Sequence, residues 1–404
     1  MENLVIKPIK QKFFTPGVLL ITLIALNGLV FILLRFLFGI GYVTNLNDQY
    51  PWGLWIGVDV AAGVALAAGG FMTAAIGHIF HREEYFCVVR PALLTAMLGY
   101  TFVAFAVFID IGRWYYIWHP LIMWNPNSAL FEVGICVMTY VTVLYIEFMP
   151  ILTERFLGKV NLPGILKIFN NFFEFILKLI DKTLNKVQFI FIIAGVVLSS
   201  LHQSSLGTLM IIAGDKMHPL WQTPVLPLLF LISAVAVGFP MVIFESLIAA
   251  RSFKLKPEIK TLARLASNVP LLLGIYIAFK IGDMAIRKTY IYLSEINIYS
   301  IAYFIEMFLL ILPAILLNFK KILTTPLYLF LSATMVVAGV LINRINNFIV
   351  AYTPPYKVEA YIPSFGEFSV TIGCIALLIL LYRAFVMIFP IIAQPKDELK
   401  PNIN

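Results

Sequence analysis

Charge is scarce in this chain, and so are cysteine and histidine. Only 12% of its 404 residues are Asp, Glu, Lys or Arg, where soluble domains carry about 25%. An ordinary hydrated globule is thereby excluded. The three cysteines, Cys87, Cys136 and Cys374, stand far apart with no Cys-x-x-Cys spacing. No zinc site or iron–sulfur cluster can be built from them alone, and no disulfide is indicated. Of five histidines, only His78 and His202 fall in apolar runs. A basic soluble domain is also missing. The net charge of +8 therefore speaks of membrane orientation, and nucleic acid is not an expected partner.

What the chain has is apolar length. Hydrophobic residues make up 61% and aromatic residues 14% of it, and the mean hydropathy is +0.93. Stretches of about 20 apolar residues recur throughout, the mark of transmembrane helices. Ten spans are expected, near 17–39, 52–79, 91–110, 130–151, 188–212, 225–249, 269–288, 300–319, 326–347 and 368–392. The fold class is then an all-α integral membrane protein, one polytopic domain over 1–404. Lys7, Lys10 and Lys12 precede a first run that is too long for a signal-peptide core and lacks a cleavage site, so a retained helix is expected.

Positive charge sets the expected orientation. With the N-terminus inside, inner segments hold twenty Lys and Arg, in groups such as Lys7–Lys10–Lys12, Arg82–Arg90, Arg251–Lys254–Lys256 and Lys320–Lys321. Outer loops hold six: Arg113, Lys216, Arg287, Lys288, Arg344 and Lys357. Arg35, Lys280 and Arg383 lie within spans. The bias predicts both termini inside. The stretch "KIFNNFFEFILKLIDKTLNK" has apolar residues at helical spacing with lysines on the other face. It predicts an amphipathic helix over about 165–186, lying on the inner surface.

Outer loops are aromatic, above all "DIGRWYYIWHPLIMWNPNS" from Asp110 to Ser128. Trp and Tyr anchor at headgroup level in many membrane proteins, so an interface anchor and the mouth of a site both remain open for it.

Ionisable groups inside spans are costly and usually face a cavity or a partner. The outer half collects Asp59, Asp110, Arg113, Glu132 and His202, the last in the hydroxyl-rich "SSLHQSSLG". The inner half holds His78, Tyr100, Glu147 and Glu245. A helix–helix hydrogen bond explains any one of these; together they suggest a proton route. Lys280 and Asp283, three apart on one helix face, should pair, and with Glu306 they read as a structural lock. His78 and His202 are separated by roughly 20 Å along the membrane normal, which argues against a bis-histidine haem. A diffusible quinone suits a lipid-facing pocket with a proton-exchanging acid or histidine.

Several long stretches carry a family pattern. "PWGLWIGVDVAAGVALAAGGF", "IGHIFHREEYFCVVRPALLTAMLGY", "DIGRWYYIWHPLIMWNPNSALFEVGICVMTYVTVL", "LHQSSLGTL", "IFES" and "YIPSFGEFSVTIG" resemble the polysulfide-reductase membrane-subunit (NrfD) family. Within it the chain looks most like the ten-span membrane subunit of uptake-type nickel–iron hydrogenases. Membrane subunits of menaquinone reductases and alternative complex III share much of the pattern.

The resemblance implies a subunit without haem or iron–sulfur cluster that binds menaquinone or another quinone in the bacterial or archaeal cytoplasmic membrane. It implies two four-helix bundles, about 52–212 and 225–347, flanked by the first and last helices. It also implies an outer-face ferredoxin-like iron–sulfur partner, which in turn contacts the catalytic subunits, hydrogenase large and small subunits in that branch. Asp59, Asp110, Arg113, His119, Trp124, Glu132 and His202 would surround the quinone mouth. Tyr100 and Glu245, with Glu147 and His78, would serve a proton path. A secondary transporter is the rival class, since it too has buried charges and paired bundles.

Overall fold

The computed structural model describes residues 4–79, 83–161, 163–355 and 360–395. The side chain of His78, expected on the proton path, lies outside the described set, as do Arg82, Lys357 and the residues beyond 395.

Among the described residues, ten helices are long and apolar enough to cross a membrane: Pro16–Phe38, Trp55–Gly77, Phe86–Asp110, Ala129–Phe156, Lys186–Ile212, Leu226–Ser252, Ile259–Ile286, Ile298–Leu316, Pro326–Val350 and Phe365–Ile388. These are spans one to ten below. The protein is an all-α polytopic membrane protein. Local chemistry starts the helices where they start. Thr15 and Ser128 cap spans one and four through their side-chain oxygens. Asn297 and Ser364 form capping boxes at spans eight and ten, each satisfying backbone N–H groups that would otherwise be orphaned. Proline stands in the first turn of spans one, six and nine and of the main helix of span seven, where its missing N–H costs nothing.

Two expectations change in detail. Span seven begins earlier than 269, because a short amphipathic helix, Ile259–Ala266, leads into Val269–Ile286. The stretch 165–186 is not a separate surface helix. A 3-10 segment, Gly164–Phe169, enters one 43-residue helix, Asn170–Ile212, that runs through span five. No glycine or proline lies between Asn170 and Gln188, so nothing in the backbone chemistry breaks the helix at the change of polarity.

The first and last described segments meet on one face. Leu4–Ile6 pairs antiparallel with Ala393–Pro395. That end is the terminal face here, and the opposite end, where spans three and four join, is the loop face. Span one packs along span ten; span two lies between spans three and six and also meets ten; span six packs on five, seven and nine. Gly28 and Gly373 let spans one and ten touch backbone to backbone: a Cβ on either would sit 2.6 Å from the other's Cα. Large apolar side chains such as Leu20, Leu23 and Leu33 of span one remain exposed, as they do on a surface solvated by lipid.

Candidate functional site

Three groups of polar side chains are built into this apolar frame. The first is a seam between spans four and five, with a contribution from span three. The two helices run antiparallel, so residues pair in descending and ascending order. Near the loop face Ser205 Oγ donates to Glu132 Oε1 at 2.5 Å. One turn deeper, His202 is fully buried, and neither ring nitrogen has a hydrogen-bond partner among the described residues. Its ring lies 5.7 Å from that of Tyr100, which packs edge-on against Tyr140 at 4.3 Å. Tyr100 and Ser199 share a long hydrogen bond of 3.4 Å. Gln203 donates to the Val64 carbonyl of span two at 2.9 Å, and its own Oε1 has no partner among the described residues. Deeper again, Glu147 is buried against Gly195, where a Cβ would come within 2.7 Å of Glu147 Oε1. The seam therefore joins four expected residues, His202, Glu132, Tyr100 and Glu147. It also adds Tyr140, Ser199, Gln203 and Ser205.

Span two separates this seam from a second group. Asp59 accepts from Thr371 Oγ1 of span ten at 2.7 Å, on the side away from Gln203. Arg35 of span one, fully buried, donates to the carbonyls of Ile109 and Ile111 and lies beside Asp110. Asp110 Oδ1 is buried without a partner among the described residues. Glu367 of span ten accepts from the backbone of Asn45 and Ser364 and from the Tyr361 hydroxyl. Burial, then the Glu367 carboxylate, holds the Tyr361 phenol well above its ordinary range. Asp59 and Asp110 thus face the flanking helices and do not meet His202. Arg35 and Glu367 are visible as charges in apolar sequence, but nothing in the linear order links them to Asp110. Asp59 lies in a π-helical stretch, Trp55–Ala62, a local widening common at functional sites.

The aromatic loop lies at the surface. Arg113 and Trp124 are exposed, and His119 stacks on Tyr116 with centroids 4.3 Å apart. Trp114, by contrast, is tied down between Phe36 and Phe108. On the other half of the molecule, Glu245 is half-buried, and both of its carboxylate oxygens are buried without a partner among the described residues. Thr95 and Tyr382 lie against it, and their hydroxyls likewise have no hydrogen-bond partner among the described residues. Tyr100, with its hydroxyl on Ser199, belongs to the seam and gives Glu245 no bond.

The third group corrects the expected lock. Lys280 does not pair with Asp283. It pairs with Glu306 across to span eight, while Asp283 is held by Arg287 at 2.6 Å and by Thr223 at 2.8 Å. A four-residue step reaches the next turn as readily as a three-residue one, and Arg287 takes the acid. Arg344, counted among the outer-loop charges, is fully buried in span nine. It donates to Asn343 Oδ1, Ser233 Oγ and the Phe230 carbonyl. Among the described residues no cluster of three or more His, Cys, Asp or Glu could hold a metal ion.

Comparison with known proteins adds a second line of observation. The family model described as "Polysulphide reductase, NrfD" matches residues 42–354. The chain is 34% identical to the "Probable Ni/Fe-hydrogenase 2 b-type cytochrome subunit" of Escherichia coli (strain K12), covering 97% of this chain and 96% of that one. It is 26% identical to the "Menaquinone reductase, integral membrane subunit" of Nitratidesulfovibrio vulgaris, over 87% and 86% of the two chains. To a selenate reductase subunit of Mesobacillus selenatarsenatis it is 25% identical, over 96% of each.

Proposed function

This chain belongs to the NrfD family of polysulphide reductase membrane subunits, and from that premise we propose that it passes electrons between an iron–sulfur partner on its loop face and menaquinone in the membrane, as part of a hydrogenase complex. It is a multi-pass membrane subunit of the kind found in quinone-linked reductases. The terminal face is cytoplasmic in this reading, since basic residues concentrate there. The exposed aromatic loop, with Tyr115, Trp118, Ile122 and Trp124, suits a docked ferredoxin-like subunit that contacts the hydrogenase subunits in turn.

One observation carries the proposal: His202 is fully buried with both nitrogens unpartnered among the described residues, as are Gln203 Oε1 in the same helix and the hydroxyl of Tyr140, which shares Tyr100 as a ring neighbour. Buried polar atoms are nearly always paired. Orphans grouped this way fit a carbonyl-bearing ring and the water that accompanies it. His202 and Gln203 would hold the quinone head, with Tyr100 and Tyr140 as walls. When bound, quinone supplies a carrier of two electrons and two protons. The chain's own residues orient it, exclude bulk water and deliver protons. His202 can donate to one carbonyl. Ser205 and Glu132 offer a route from the loop face; Ser199 and Glu147 offer one from the terminal side. Glu245, with Thr95 and Tyr382, forms a separate stop on the terminal side. Asp59 and Asp110 stand one helix away, where they set the charge near the partner rather than touching the ring.

A b haem, which the name of the Escherichia coli relative suggests, does not fit the described side chains. His202 packs against Tyr100 with no second histidine opposite among the described residues, His119 stacks on Tyr116 of the aromatic loop, and His218 stacks on Tyr299 at the start of span eight.

Replacing His202 tests the reading. His202→Ala should leave the complex assembled, lower quinone-linked turnover by about 100-fold, the scale of a lost acid–base group, and spare reduction of an artificial acceptor by the iron–sulfur partner. Loss of both activities together with complex yield would make His202 structural.

A further inference from the structure

The outward face of span four is less apolar than a lipid-facing surface should be. Tyr140, Leu144 and Glu147 turn inward and are buried, whereas Thr139, Thr142 and Tyr145 are exposed, Tyr145 by 40%. Each stands three positions from the next, so they make a diagonal row across the helix with steps of about 5–6 Å. Counted along the helix Ala129–Phe156, the row lies about 15–24 Å from the loop-face end, and Tyr145 about 16 Å from the other end. That is hydrocarbon depth, where lipid tails offer no polar atom. Glu132 is exposed two turns above Thr139 on the same side of the helix, and its Oε1 accepts from Ser205 at the edge of the seam. The row therefore leads from mid-membrane towards the seam that holds His202.

The hydrogen bonds decide what this row can recognise. Thr139 donates to the Ile135 carbonyl at 2.8 Å, and Thr142 to the Met138 carbonyl at 2.9 Å. Thr101 of span three donates to the Met97 carbonyl at 2.6 Å. Its one hydrogen is thereby committed, so in the 2.8 Å contact between Thr101 Oγ1 and Tyr145 Oη the phenol is the donor. A hydroxyl has one hydrogen and two lone pairs. Every hydrogen of the row is thus held by a protein acceptor, and the row shows the lipid only lone pairs. A lipid-soluble molecule with O–H groups fits such a surface, and one with carbonyls alone does not.

We propose that the outward face of span four is a docking track for quinol, the reduced and hydrogen-bond-donating form of the carrier, with Tyr145, Thr142 and Thr139 as successive acceptors and Glu132 at its seam end. The proposal rests on the quinone reading above and adds to it a surface between site and lipid that treats the two redox forms unequally. A quinol O–H donates in turn to Tyr145 Oη, Thr142 Oγ1 and Thr139 Oγ1, and no covalent bond changes along the way. An oxidised ring finds no donor here unless the phenol turns away from Thr101, which breaks the hydrogen bond between spans three and four.

The test uses the complete complex in nanodiscs and a menaquinone analogue with a diazirine on its side chain, either oxidised or reduced with dithionite. On illumination the reduced probe should label span four around positions 139–145 about fivefold more than the oxidised probe, the scale of one neutral hydrogen bond. Tyr145→Phe should remove most of that difference with complex yield unchanged. Thr101→Val, which frees the phenol hydrogen to meet a carbonyl, should raise labelling by the oxidised probe several-fold, an effect that loss of a merely structural bond does not produce. Equal labelling by the two forms would overturn the proposal. So would no labelling of span four, the result expected where a partner's transmembrane helix covers this face. Labelling of span five around His202 reports separately on the quinone site: where it persists without span four, the track alone is lost, and where both are absent, the quinone reading falls with it.

Discussion

At the scale of single residues, the seam between spans four and five has one unusually informative position. Gly195 gives Glu147 its space: a methyl group there would press on Oε1 at 2.7 Å. The atom displaced is the end of a flexible side chain, so the helix pair need not open. Gly195→Ala should therefore fold and assemble normally while moving the carboxylate off the seam. If Glu147 relays protons, quinone-linked turnover in proteoliposomes should fall several-fold with little change in complex yield. Unchanged turnover would remove Glu147 from the route and leave it as a buried acid with a packing role.

At the scale of elements, small residues decide how helices meet. Without a hydrophobic driving force inside lipid, close packing holds helices together. The crossing of spans one and ten is the clearest case, because Gly28 and Gly373 touch through their backbones. Gly28→Leu cannot be relieved by a rotamer change, since its neighbours are main-chain atoms. It should separate span one from span ten, free Arg35 from the end of span three, and lower the melting temperature of the purified chain by about 5 °C or more. An unchanged melting curve would show that span one contributes little to the fold. The π-helical stretches at Trp55–Ala62 and Asn346–Val350 belong to the same scale. Each presents polar residues, Asp59 in one and Asn346 with Asn347 in the other, at angles a regular helix would not give.

At the scale of the whole molecule, the strand pair joining Leu4–Ile6 to Ala393–Pro395 brings the first and last described segments together on one face. Charge bias assigns that face to the cytoplasm. A fluorescent protein that matures only in the cytoplasm should glow when fused to the C-terminus, and alkaline phosphatase fused there should be inactive. A reporter inserted after Asn125, in the aromatic loop, should give the opposite pattern. Active phosphatase at the C-terminus would invert the molecule and move the partner face to the other side of the membrane.

The sequence by itself determined the class and the number of spans, because hydropathy is read over one stretch of consecutive residues. Lys186–Ile212 and Pro326–Val350 are readable within a few positions for that reason. Sequence also singles out His202, Glu132, Tyr100 and Glu147, each a polar residue in apolar surroundings. Which of these share a site is not legible in it. Depth groups Asp59 with His202, yet span two stands between them, and depth along a helix says nothing of the direction a side chain takes around it. Lys280 has Asp283 as its near neighbour in sequence but finds Glu306, 26 residues away, because span eight lies against span seven. Arg344 resembles a loop cation at a span end until Phe230, Ser233 and Asn343 close around it. Those partnerships depend on helix rotation and on neighbours distant in sequence, and only tertiary packing sets them.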